Sequence, residues 1–165
     1  MMKKLLTTIS LALTLCLSLT TVFAAPSINK NGAVKKDSIL INGEKVDANT
    51  TAAFDSKKET YSAAGVSDET IDVIEKVNAN PSQLASLIKG VDLSGYSLLT
   101  EFQDLSVYVN GELKQKVKNV TLTWEVPNLV KTAKNVKVLH YSTERNTWEI
   151  LTPKSVDFDN KTITQ

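Results

Sequence analysis

Apolar residues occupy every second position over long stretches of the C-terminal half of the chain, and this alternation constrains the fold more than any other feature. Leu105, Val107 and Val109 alternate with Ser106 and Tyr108, and the same period of two returns at positions 120, 122, 124 and 126. Successive side chains of a strand point to opposite faces of a sheet, so the pattern predicts antiparallel strands with one buried face and one wet face.

Further short strands and tight turns follow from the same reasoning. Short apolar segments predict strands at 136–141, 148–151, 156–158 and 161–164, at spacings typical of a β-sandwich. The dipeptides Asn42-Gly43 and Asn110-Gly111 each lie between apolar residues. Because both residues of a type I′ turn need positive φ, these dipeptides predict two-residue hairpins.

Two helices are predicted ahead of the strands. Ser67 is placed to cap the first, and Asn80 is placed to cap the second, with Pro81 at its first position and Gly90 after its end. Apolar residues at helical spacing form one face of each helix. The expected fold class is therefore mainly β with α (α+β), with two short helices within about 67–90 and an antiparallel β-sandwich-like part at about 97–165.

The N-terminus has the order of a secretory signal peptide. Lys3 and Lys4 precede an apolar run from Leu5 to Ala25, which contains a small-residue site ending at Ala24. This order predicts a signal peptide at 1–24, removed after Ala24, and a secreted or cell-surface protein. The alternative is that the run is retained as an anchor helix, since it is nearly long enough to span a bilayer.

Removal of the signal would leave a chain of about 140 residues without cysteine, because the single Cys16 lies within the apolar run. Such a chain depends on a hydrophobic core rather than on disulfides. We expect a disordered leader or linker at 25–36 and a single domain at 37–165. Without Lys3 and Lys4 the charges fall from 19 basic and 18 acidic to 17 and 18, a net charge of −1, which favours neither nucleic acid nor an anionic membrane as a partner.

The segment 138–150 holds the only histidine, His140, near an acid and a base, Glu144 and Arg145. Polar turn residues surround the two charged residues, so they are expected at the exposed tip of a hairpin. His140 shares one side of its strand with Val136 and Val138, and no nucleophile motif accompanies it. We therefore interpret it as a structural histidine, and we expect a noncatalytic protein.

The two tryptophans have different expected roles. Trp124 alternates with Val120, Leu122 and Val126, which predicts a core position. Trp148 follows the hairpin loop directly, so Trp148 and Tyr141 are the candidate ligand-binding residues for a carbohydrate or cell-wall glycan.

No cofactor and no metal site are expected. The cluster at 157–160 carries three oxygen side chains, but it lacks the spacing of a calcium loop, and Asp and Asn are common at turns. One histidine without a mature cysteine does not make a zinc site.

The segment 119–151 resembles the β-rich modules of uncharacterised secreted proteins from Gram-positive, Clostridia-like bacteria. The likeness lies in a V-P-x-L corner, the strand VKVLHY, a polar turn and a W-E strand. It implies secretion and a β-rich fold, and it implies no catalytic residue. Such modules usually continue through one more strand, which this sequence lacks. The resemblance therefore also implies that the chain is a fragment of a longer protein.

The expected partner is an extracellular protein or a glycan, in surface interaction, adhesion or an envelope assembly, without stable membrane insertion after the signal is removed. The strand pattern at 156–165 runs to the last residue. This predicts an unpaired strand edge there, open to self-association or to a missing partner strand.

Overall fold

The structure is a computed structural model and describes residues 14–19, 32–114, 117 and 119–165. The helices are α1 (Lys58–Ala63), α2 (Asp68–Ala79) and α3 (Leu84–Leu87), with short 3-10 helices at Lys36–Ser38 and Pro81–Gln83. The strands are β1 (Thr14–Leu19), β2 (Leu40–Ile41), β3 (Glu44–Lys45), β4 (Thr50–Asp55), β5 (Tyr96–Leu98), β6 (Asp104–Val109), β7 (Glu112–Lys114), β8 (Val120–Thr121), β9 (Thr123–Glu125), β10 (Lys134–Ser142), β11 (Thr147–Leu151), β12 (Ser155–Asp157) and β13 (Thr162–Thr164).

The strands form small antiparallel sheets, as a mainly β fold with a few short helices requires. A four-stranded sheet has the order β11-β10-β1-β5, and three-stranded sheets have the orders β12-β13-β9, β3-β2-β8 and β4-β6-β7. The α+β class predicted from the alternating apolar residues is confirmed.

Two hydrophobic cores lie on opposite faces of the four-stranded sheet. On β10, Leu139 and Tyr141 belong to the core that the helices cover, whereas Val136 and Val138 belong to the core shared with the other strands. The helix-side core is formed by Tyr61, Val66, Ile71, Ile74, Val77, Leu84, Ile88, Leu93, Leu98, Phe102, Leu139 and Tyr141. The sequence of β10, VKVLHY at 136–141, is mostly apolar, as is expected of a strand with a core on each face.

The helices lie where the capping residues predict them. The Ser67 side chain accepts a hydrogen bond from the backbone N–H of Thr70, and α2 follows. The second predicted helix is a 3-10 turn from Pro81 that continues into the single turn of α3, and Gly90 has a φ of +87° after its end. Helix α1 was not predicted from the sequence, because its small and polar residues carry no apolar stripe.

Both Asn-Gly hairpins are present. Ile41 pairs with Glu44 and Val109 pairs with Glu112, so each turn has two residues. The φ values are 54° and 81° at Asn42-Gly43, in the left-handed region that a type I′ turn requires.

Two sequence-based expectations need correction. The last strand, β13, is not an unpaired edge, because it pairs with β12 on one side and β9 on the other, and Gln165 exchanges backbone hydrogen bonds with Leu122. Residues 32–36 are not a linker that lies apart from the fold. Gly32 and Lys35 donate backbone hydrogen bonds to carbonyl groups of β9, so this segment is held against the sheet.

The predicted signal peptide, 1–24, lies outside the described residues except for Thr14–Leu19, which forms β1. None of the helices in the described part of the chain is long and apolar enough to cross a membrane.

Candidate interaction site

The two aromatic residues proposed as a glycan platform lie opposite each other on β10 and β11. The Tyr141 and Trp148 rings meet edge to face with centroids 4.9 Å apart, and Phe102 lies 5.1 Å from Trp148 on the core side. Tyr141 is only 5% exposed and its hydroxyl lies 3.5 Å from Thr70 Oγ1. The pair is therefore a rim of the helix-side core and not an open two-ring platform.

Trp148 is half-buried, so part of this side chain remains accessible. It is the residue of the predicted pair that could contact a ligand without unpacking the core. Trp124, in contrast, is 1% exposed and packs against Phe54 at 5.8 Å, which confirms its predicted core position.

His140 is buried on the face of β10 that also carries Val138. Its Nδ1 lies 3.5 Å from Glu149 Oε2, on the paired strand β11, and the other Glu149 oxygen contacts the Arg145 guanidinium. The acid that meets the histidine is thus Glu149 and not Glu144. His140 is 3% exposed in the full chain, in which Thr14 of β1 pairs with it.

A buried carboxylate that sequence reasoning missed lies at the start of β6. Asp104 faces Asp55 across the β4–β6 ladder, and its Oδ2 accepts a hydrogen bond of 2.9 Å from Ser106 Oγ. Burial raises the pKa of Asp104 to about 6; the Ser106 hydrogen bond opposes this shift and the Asp55 charge adds to it.

Alternation predicted that Ser106 would face water, but Ser106 is buried, and α1 contacts this part of the sheet at its end. Thr60 of α1 donates a hydrogen bond of 3.0 Å to Asp55, and the buried Tyr61 hydroxyl donates one of 2.9 Å to the Phe102 carbonyl. Desolvation, together with the charge of Glu101, raises the pKa of Tyr61.

Elsewhere, the acidic turn at 157–160 is held by hydrogen bonds among its own residues. Asp157 accepts hydrogen bonds from the backbone of Asp159 and from the backbone and side chain of Asn160. The Asn160 hydrogen bonds hold the pKa of Asp157 below its usual value. In the described part of the chain, no group of three or more His, Cys, Asp or Glu side chains is arranged to hold a metal ion.

A cleft of about 320 Å³ lies beside the first hairpin, lined by Ile39, Val46 and Ala48 and by two basic and two acidic side chains. Neither aromatic candidate contributes to it. Its mixed charges give it no preference for a cationic or an anionic ligand.

The position between β5 and β10 differs from these sites, because a segment of the predicted signal peptide fills it. Thr14–Leu19 pairs antiparallel with β10 on one side and with β5 on the other. In the four-stranded sheet β5 is paired with β1 alone, so the backbone pairing of β5 with the rest of that sheet depends on this segment.

Comparison of the chain with known protein families, with curated proteins and with solved structures finds no match.

Proposed function

We propose that the chain is a secreted, noncatalytic module that acts by protein interaction at the bacterial cell surface, in adhesion or as an accessory envelope protein. The observation that carries the proposal is the strand position between β5 and β10, which a segment with the sequence of a signal-peptide core occupies. A sheet that depends on a separable strand is suited to recruit another polypeptide.

The placement of the reactive side chains supports a noncatalytic role. Asp104 and Tyr61 are buried, and each hydrogen-bonds to a residue that is itself buried. General acid–base catalysis needs such a group within hydrogen-bond reach of a bound substrate.

A cell-binding assay tests this function. The processed protein, labelled and added to intact Gram-positive cells, is expected to bind saturably and to lose binding when the cells are first treated with protease. Binding that never saturates, or hydrolytic turnover that survives controls, would contradict the proposal.

Glycan binding through Trp148 is the second candidate, favoured by the partial exposure of that ring. It predicts binding that survives protease treatment of the cells and falls with Trp148→Ala. Because Trp148 packs on Phe102, Trp148→Phe serves as the variant that keeps an aromatic ring, and Leu113→Ala, at a 45% exposed position on another hairpin, is the matched control.

A further inference from the structure

The interior position of β1 is the most consequential feature of the central sheet. Five positions of β1 pair with β10 and three pair with β5, all antiparallel. If this segment left, β10 would lose its backbone partner on one edge. β5 would lose its one backbone partner in this sheet. Buried backbone N–H and C=O groups without partners are costly, so an empty position would favour a new strand.

The surroundings of this position fix the chemistry of its occupant. Beside this position, β10 contributes Leu139 to the helix-side core and Val138 to the opposite one. On the other flank, Leu98 is buried in the helix-side core. We infer that a strand paired with β10 here meets apolar surroundings on both faces, so it has to be apolar or small at nearly every residue.

The register gives the pattern in more detail. Leu15 lies opposite Leu139 and Leu17 lies opposite Leu98, so these positions share the helix-covered face of the sheet. The intervening positions hold Thr14, Cys16 and Ser18. The position therefore accepts large aliphatic residues at alternate sites on the helix side and small residues between them.

One end of the position is closed by a bulge in β10. The pairing shifts between Leu17 and Leu19, where Asn135 of β10 has a φ of 50°. The Asn135 side chain donates a hydrogen bond of 2.8 Å to the Tyr96 hydroxyl, which joins the two flanking strands. The strand that occupies the position here is six residues long, about 20 Å of extended chain.

We propose that the position between β5 and β10 is a strand-acceptor site. After the signal peptide is removed, it takes an extended strand of a partner protein with a large aliphatic side chain at every second residue. This rests on the proposed function, in which the chain is secreted and processed. Main-chain hydrogen bonds to both flanking strands supply the affinity, and the alternating pockets supply the specificity.

The test uses the processed protein recovered from the medium and a lysine-flanked peptide, TLSLSL, which is the β1 sequence with Cys16→Ser. The matched control, LLLTSS, has the same composition without alternation. We expect one TLSLSL peptide to bind per chain and to slow amide hydrogen exchange in 96–98 and 134–142. The control peptide should bind about tenfold more weakly or worse, since it loses several cross-strand pairs.

Four results would overturn the acceptor site: equal binding of the two peptides, no binding, protection of both strands before peptide is added, or a dimer in which a second copy fills the position. If the processed chain is unfolded alone, folding on addition of TLSLSL supports the site, and failure to fold overturns it.

The two assays distinguish the acceptor site from the proposed function. Absence of peptide binding, together with protease-sensitive cell binding, refutes the acceptor site alone. Peptide binding without cell binding refutes the proposed function alone.

Discussion

Replacement of Asp104 by asparagine should change how stability depends on pH. The pKa of this carboxyl rises from 3.8 to about 6 in the folded protein because the group is buried. Between these two values the folded state holds a proton that the unfolded state has released, so wild-type stability falls as pH rises through this window. At 1.36 kcal/mol for each pH unit, ionisation of Asp104 costs about 3 kcal/mol above pH 6.

Asp104→Asn removes this cost, but it adds amide hydrogens that need hydrogen-bond acceptors. Asp55 lies opposite position 104 across the ladder and carries a carboxylate that can accept one of them. Any pH-independent cost of the substitution cancels when the variant and wild type are compared at two pH values. We expect the free energy of unfolding of the variant, relative to wild type, to increase by about 2 kcal/mol between about pH 4 and about pH 7.5, because part of the cost has already developed at pH 4.

Urea titrations across this range measure the difference directly, and Asp72→Asn, at an exposed carboxylate of α2, is the control for loss of a charge. The control measures how far the loss of one exposed carboxylate by itself changes the pH dependence. A relative stability of Asp104→Asn that stays constant within about 0.5 kcal/mol would refute the burial argument, since the extrapolation itself carries an error of that order.

Three further substitutions test separate local arguments by urea unfolding. Ser67→Ala removes the cap of α2 and should cost about 1 kcal/mol, and Ser67→Gly should cost less. Gly111→Ala places a side chain at a φ of +77° in open space, so we expect a loss of about 1 kcal/mol from backbone strain alone; no loss would mean that the turn is not type I′. Tyr61→Phe removes the hydrogen bond to the Phe102 carbonyl and should cost about 1 kcal/mol, whereas an unchanged stability would contradict a net stabilisation by this hydrogen bond.

The parts of the fold that sequence reasoning predicted are those with strong local signals. The Asn-Gly turns require a backbone conformation that few residues adopt, and the cap at Ser67 satisfies an N–H that the helix cannot. Alternation placed Val138 and Leu139 on opposite faces of β10 because the period of a strand is fixed.

The features that sequence reasoning missed depend on contacts between distant segments. Asp104 is buried on the face of β6 that alternation assigned to solvent, and Glu149 meets His140 only through the register of two strands. A signal peptide and an interior strand both require an apolar segment. The composition of the N-terminal run therefore could not distinguish them, and the pairing of β1 could not be predicted from the sequence. Trp148 remains a predicted ligand contact.

The central claim is that the N-terminal segment is removed and leaves a position in the sheet for a partner strand. The intact mass of the protein recovered from the medium of a secreting Gram-positive host tests it most directly. We predict a chain that begins at Ala25 and is lighter than the 18.1 kDa precursor by its first 24 residues. Recovery of the full 165-residue chain, with β1 still present, would contradict the account, because the strand position would then be filled by the chain itself.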